Sequence, residues 1–161
     1  MVTLRPILPD DRERILDILT SDRIKKTYML PDYPDRVSAL PLFQRLMDMS
    51  CDPSKYVRAI DLEGKLIGFL NHTEIQDTSI ELGYVIHPDS QGKGCMTQAL
   101  GLAMEELFSL GYQQIIAGAF STNRASIRVF EKCGLEPMGK TEEIPYRGQI
   151  HRCLYYRKIW E

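Results

Sequence analysis

A chain of 161 residues with 43% hydrophobic side chains can bury one sizeable core, so residues 1–161 are expected to form a single domain. Its 20 basic and 22 acidic side chains leave a formal net charge of -2, which offers no overall attraction to nucleic acid or to an anionic membrane. No apolar run approaches the roughly 20 residues that span a bilayer and no signal-peptide core opens the chain, so a cytoplasmic protein without a membrane or nucleic-acid partner is expected.

The elements alternate between short strands and amphipathic helices, as in one mixed α/β unit. Residues 3–8 read as a strand; Asp10, with Glu13 three positions on, reads as the N-cap of a helix that ends near Thr20 and buries Ile15, Leu16 and Leu19. Prolines at 31, 34 and 41 punctuate the next stretch, where a second helix over 37–49 turns Leu40, Phe43 and Met47 inward. Residues 56–60 and 66–71 read as a hairpin, and residues 79–87 as a strand in which Glu81 points away from the Ile80 row. A Gly-rich loop then leads into a helix carrying Leu100, Ala103, Met104, Leu107 and Phe108 on one stripe and ending at Gly111. A buried strand over 114–119 follows, then a helix capped by Asn123 and stopped by Gly134, and two strands over 135–144 and 150–159 joined by a turn at 146–149.

The chemistry-bearing feature is the loop Asp89-Ser-Gln-Gly-Lys-Gly-Cys95. Glycines at 92 and 94 let a backbone approach a ligand closely, and the following helix aims its unpaired N–H groups and positive dipole end at the same place, as pyrophosphate binding requires. Gly-rich turns between strand and helix also arise for conformational reasons alone. Two other phosphate motifs fail on spelling: a P-loop would need Ser or Thr where Gly94 follows Lys93, and a dinucleotide fingerprint would need glycine at Thr97. Cys51, Cys95, Cys133 and Cys153 form no C-x-x-C pair, and His72, His87 and His151 lack metal-ligand spacing, so neither disulfide nor metal is expected.

The stretch Glu81-Leu-Gly-Tyr-Val-Ile-His-Pro-Asp-Ser-Gln-Gly-Lys-Gly94, with Asn123-Arg-Ala-Ser-Ile-Arg-Val-Phe-Glu-Lys-Cys-Gly-Leu135 beyond a helix, resembles the acetyl-CoA-binding core of the GNAT superfamily of N-acetyltransferases, especially the branch that acetylates ribosomal-protein N-termini. The resemblance implies an α/β fold of the α+β type: a single mixed, mostly antiparallel sheet of six to seven strands, splayed at the fourth, with about four helices. It implies acetyl-CoA as cosubstrate, no metal, and an acceptor amine that is a protein N-terminus or a small molecule. Homodimers are common among similar proteins. It further implies that the backbone of Tyr84, Val85 and Ile86 meets the pantetheine arm, that the loop of Gln91, Gly92, Lys93, Gly94, Cys95, Met96 and Thr97 holds the pyrophosphate, and that Asn123 and Ser126 lie near the arm. Gln91 and Gly94 match the family's loop pattern, whereas Met96 stands where a small residue is usual.

Amine attack on a thioester requires loss of an ammonium proton, a stabilised oxyanion and release of a thiolate. At neutral pH an α-amine with pKa about 7.7–8.0 is roughly a tenth neutral, while a lysine near 10.4 is neutral at a few parts in ten thousand, so a lysine-like acceptor needs a base far more. Glu81 matches a glutamate that some family members use as the base through water; its other reading is an exposed strand carboxylate. Where relatives often carry an acidic tyrosine this chain has Phe130, which leaves the proton for the thiolate to Tyr146 or another tyrosine such as Tyr155 or Tyr156, to solvent, or to no acid. Two further readings stay open on the sequence: a non-catalytic acyl-CoA-binding module, and an interaction domain whose loop binds nothing.

Overall fold

The computed structural model describes residues 1–26 and 28–161. Among the described residues five helices and seven strands follow in the order β1 (Val2–Arg5), α1 (Arg12–Leu19), α2 (Asp22–Lys25), α3 (Arg36–Ser50), β2 (Val57–Leu62), β3 (Lys65–Gln76), β4 (Ser79–Ile86), α4 (Cys95–Ser109), β5 (Gln114–Phe120), α5 (Arg124–Lys132), β6 (Glu136–Tyr146) and β7 (Gln149–Ile159). The sheet order is β1-β2-β3-β4-β5-β7-β6, with β4 and β5 parallel and the other described ladders antiparallel. The expected mixed, mostly antiparallel sheet is therefore present with seven strands. The β4–β5 ladder runs from Ser79↔Gln114 to Leu82↔Ala117 and stops, although β4 continues to Ile86 and β5 to Phe120, which is the expected splay at the fourth strand.

By internal packing the chain divides into two compact units, Met1–His72 with Tyr84–Cys95, and Thr73–Gly83 with Met96–Glu161. In the first, β1 and β3 flank β2, and Ile15, Leu19, Phe43, Val57, Phe69 and Val85 belong to one buried cluster. Phe43 is thus a core residue. The β2–β3 hairpin closes through Glu63 and Gly64, at φ 54° and 88°, with the Asp61 carboxylate accepting from the Gly64 N–H at 2.7 Å. The opening of α1 differs from the expectation that Asp10 caps it. A 3-10 turn over Pro9–Asp11 intervenes, and Asp11, held by Arg5 at 2.8 Å, accepts from the Leu8 N–H at 2.7 Å while Asp10 is exposed. The short α2, capped by the Ser21 hydroxyl, was not expected from the sequence because four residues carry no helical period.

In the second unit β5 pairs with β7, and β7 with β6, through a two-residue turn at Arg147 and Gly148, both at positive φ. The α5 helix is capped by Asn123, whose Oδ1 accepts from the Ser126 N–H at 3.2 Å, and stops at Gly134 at φ 81°. Phe130 is buried with its ring 5.4 Å from that of Tyr156. No described helix is long and apolar enough to cross a membrane. Among the described residues no group of three or more His, Cys, Asp or Glu side chains is placed to hold a metal ion.

Candidate active site

The Gly-rich loop leaves β4 through a 3-10 turn over Pro88–Ser90 and enters the first turn of α4 at Cys95. Gly92 and Gly94 both adopt left-handed backbone, at φ 76° and 75°, a conformation a side chain resists. A Cβ at either position would meet nothing within 4 Å, so the protein itself leaves open space there. The start of a 15-residue helix directly follows, and its N-terminus brings the positive end of the helix dipole to the loop. Gln91 ties the loop to β4 by donating Nε2–H to the Ile86 carbonyl at 3.1 Å, and Lys93 Nζ donates to the Asp89 carbonyl at 3.1 Å. Cys95 and Met96 are buried. Thr97 accepts from the Cys133 thiol at 3.4 Å through its carbonyl.

Charged side chains anchor the start of this loop. Arg14 on α1 reaches Asp89 with two guanidinium nitrogens, at 3.0 and 3.3 Å, while its Nε donates to the Leu66 carbonyl. The His87 ring lies between carboxylates, with Nε2 3.1 Å from Asp17 and Nδ1 2.9 Å from Asp89. The Arg14 guanidinium, aided by Ser90 and His87, holds the Asp89 carboxyl well below the usual carboxylate range. A depressed folded-state pKa means that the contribution is present above the ordinary value of about 3.9 and is lost as pH falls through the depressed one. Asp89→Asn is therefore expected to lower stability by about 1 kcal/mol or less near neutrality, the carboxylate being half exposed. The melts of the two proteins should begin to draw together below about pH 4 and meet only once the pH has fallen through the depressed value; a gap that stays constant as the pH falls from about 4 would refute the charge argument.

In the second unit one face of the sheet gathers the remaining reactive groups. Glu81 stands opposite Ile116 in the parallel β4–β5 ladder, Gly118 opposite Tyr155, and Phe120 opposite Cys153. Glu142 on β6 also stands opposite Cys153, so Glu81, Gly118, Phe120, Cys153, Tyr155 and Glu142 share a face. The Thr73 hydroxyl donates to Glu81 Oε2 at 2.5 Å and fixes that carboxylate. Burial first, then hydrogen bonds with Cys153 and Glu142 and the field of Glu81, push the Tyr155 phenol above its usual range, so it stays protonated. Burial likewise raises the Cys153 thiol, with Glu81 and Glu142 adding to the effect. Gly118 makes room for both, because a Cβ there would lie 2.8 Å from the Tyr155 ring and 3.2 Å from the Cys153 sulfur. A cavity of about 530 Å³ adjoins this face, lined by Phe120, Ser121, Thr122, Glu143 and residues 149–152.

The sequence profile of the acetyltransferase (GNAT) domain matches residues 1–136. The chain belongs to the GNAT acetyltransferase family. It is 23% identical to the spermidine N(1)-acetyltransferase of Escherichia coli K12 over 162 aligned positions, which cover 96% of this chain and 86% of the relative. In fold it is similar to a spermidine N-acetyltransferase from Vibrio cholerae solved with CoA and spermine, with TM-score 0.83, 21% identity and coverage of 98% and 95%. It is also similar to an acetyltransferase from Salmonella typhimurium that modifies the N-terminal serine of a ribosomal subunit protein, with TM-score 0.84, 17% identity and coverage of 99% and 95%.

Within this acetyltransferase the residues expected from the sequence fall in two groups. Tyr84, Val85, Ile86 and the loop to Cys95 lie in the first unit, and Glu81, Met96, Thr97, Asn123, Ser126 and Tyr146 in the second. Tyr146 sits at the hairpin end, where its ring is 6.1 Å from Phe120 and 5.9 Å from His151, and it stands opposite Gln149, six residues along β7 from Tyr155. Tyr155 is the phenol within the field of Glu81. The Arg14–Asp89 anchor, Cys153 and Glu142 carry no local sequence signal as site residues, because their partners lie on distant elements. The only sequence signal for Cys153 and Tyr155 is their period-2 placement on one strand face.

Proposed function

We propose that residues 1–161 act as one acetyl-CoA-dependent N-acetyltransferase domain, moving an acetyl group to a primary amine by direct attack in a ternary complex. The observation that carries this reading is the pair of left-handed glycines ahead of α4, with open space where their Cβ atoms would be. Bound acetyl-CoA supplies an acyl thioester. The backbone N–H groups of residues 92–97 hold its pyrophosphate, with Lys93 contributing charge, and the backbone of Tyr84, Val85 and Ile86 and the side chains of Asn123 and Ser126 meet the pantetheine arm. Glu81, oriented by Thr73, takes the ammonium proton of the acceptor through water. With Phe130 buried in the core, the proton for the departing thiolate is left to Tyr146, to another tyrosine such as Tyr155 on the Glu81 face of the sheet, or to solvent. Relatives that acetylate spermidine or a protein N-terminus support an amine acceptor of either kind.

Calorimetric titration with acetyl-CoA, paired with a thiol-release assay over peptides and polyamines, tests the reading. One-to-one binding with acceptor-dependent release is expected. Binding without release over the whole panel would leave an acyl-CoA-binding module, and no binding would overturn the proposal.

A further inference from the structure

His87 directly follows β4, and its ring joins the start of the Gly-rich loop to α1. The ring is 12% exposed, with Nε2 3.1 Å from Asp17 Oδ2 on α1 and Nδ1 2.9 Å from Asp89 Oδ1 in the 3-10 turn that opens the loop. Each carboxylate is braced by other donors: Arg36 donates to Asp17 at 2.8 Å, and Arg14 and the Ser90 hydroxyl donate to Asp89. Burial works against the charge of Asp17, but hydrogen bonds from His87 and Arg36 and their positive field hold its carboxyl below the usual range. A neutral imidazole carries one N–H and one lone pair. It can donate to Asp17 and let Nδ1 accept the Asp89 backbone N–H at 3.3 Å, but the Asp89 carboxylate then faces a lone pair. Only the imidazolium donates to both carboxylates. The other charges around it are Arg14 on α1, Arg36 on α3 with its partner Glu13, which also pairs with Arg12, and Lys93, which reaches the Asp89 carbonyl. On β3 the Ile67 carbonyl accepts the His87 N–H at 2.7 Å, and residues 66–70 carry no charge.

We infer that His87 is a positioning residue for the Gly-rich loop and that acetyl-CoA binding is coupled to its protonation, the imidazolium clamping Asp89 to Asp17 and adding a positive charge beside the pyrophosphate site. The inference rests on the acetyltransferase reading and adds a regulation of that same site. His87 acts through Asp89, whose turn is closed by the Ser90 N–H on the His87 carbonyl at 2.9 Å and whose own carbonyl holds Lys93 Nζ. Both arginines beside the ring are already committed to carboxylates, so protonation of His87 supplies the charge that they do not. An anion at the loop favours the state with the extra positive charge; acetyl-CoA therefore binds the imidazolium form more tightly and, by reciprocity, drives the ring toward it. The tighter binding is present at the acid end of the range in which an imidazole changes charge, about pH 5 to 8, and is lost as pH rises through it. Asp17 and Asp89 are half exposed, so screening keeps the coupling small.

The test is calorimetric titration with acetyl-CoA from about pH 5.5 to about pH 8, for the wild type and for His87→Gln. Glutamine keeps a donor but takes no charge, which makes it a stand-in for the neutral ring. The Kd of the variant is expected to be about three- to fivefold higher than that of the wild type at the acid end, the worth of one screened hydrogen bond, and equal to it at the basic end. Titration of the ligand's own phosphates is common to both proteins and cancels in that ratio. In turnover at the acid end the variant should raise the KM for acetyl-CoA and leave kcat unchanged once acetyl-CoA saturates. Proton NMR of the unaltered protein gives the same answer without a variant, and stands even if His87→Gln fails to fold. At the pH where the ring of the free protein is half titrated, adding CoA should move its signal toward the imidazolium position. A Kd ratio that is constant from acid to base would leave His87 a structural residue and overturn the coupling, as would a ring signal that CoA leaves in place. A wild type that binds no acetyl-CoA at any pH would remove the acetyltransferase reading and this inference with it.

Discussion

Replacing Gly68 with alanine is expected to destabilise the protein by about 1–3 kcal/mol, the range for overfilling a packed site, and to lower the melting temperature by roughly 5 °C. A Cβ on Gly68 would overlap the Val85 carbonyl oxygen and lie 3.1 Å from both the Ile86 Cα and its Cδ1. Two of those three atoms are backbone, so relief requires β3 and β4 to shift rather than a side chain to turn. The strands are already tied there, with the His87 N–H donating to the Ile67 carbonyl at 2.7 Å. Because Val85 and Ile86 are assigned to the pantetheine arm, the variant should also weaken acetyl-CoA binding in calorimetric titration by more than its stability loss explains. An unchanged melting temperature would mean that the strands yield freely, and the close approach would then constrain nothing.

Gly68 shows where the sequence could be read and where it could not. An isolated glycine inside a strand signals a close backbone approach, yet which backbone approaches depends on a register that period-2 patterning leaves open. Periodicity made α4 and the β5–α5–β6–β7 order legible, with boundaries within a few residues, and α3 could be placed over 37–49 although prolines interrupt its pattern. The polar continuation of β3 through Gln76 was not, because residues 72–76 lack a buried row, and their pairing follows from the turn at Asp77, at φ 54°. At the site, the face of Glu81 followed from strand alternation, and the glycines of the loop from spelling. Its company did not. Tyr155 and Cys153 reach Glu81 through two ladders, β4–β5 and β5–β7, and a one-residue slip in either would turn them to the opposite face. Alternation along β6 and β7 alone does not say which of Tyr146, Tyr155 and Tyr156 shares the face of Glu81. The Arg14–Asp89 and His87–Asp17 pairs join α1 to the loop and carry no local signature at all.

Glu81→Gln is expected to lower kcat/KM for an N-terminal peptide by about 100-fold, at the lower bound for removing a positioned general base. Glutamine keeps the volume and an oxygen that can accept the Thr73 hydroxyl, so the melting temperature should change little. The pH dependence separates a base from a structural carboxylate. With Glu81 present, the protonated amine can bind and lose its proton in the site, so the rate should be high well below the acceptor's own pKa. Without it, only acceptor already neutral in solution reacts, and log kcat/KM should climb with unit slope until the α-amine pKa of about 7.7–8.0. For a lysine-like amine the same climb should extend toward about 10.4, so variant and wild type should differ most with that acceptor and at the lowest pH. A loss of only a few-fold, with the slope unchanged between the two proteins, would demote Glu81 to a strand carboxylate held by Thr73 and leave deprotonation of the acceptor to solvent.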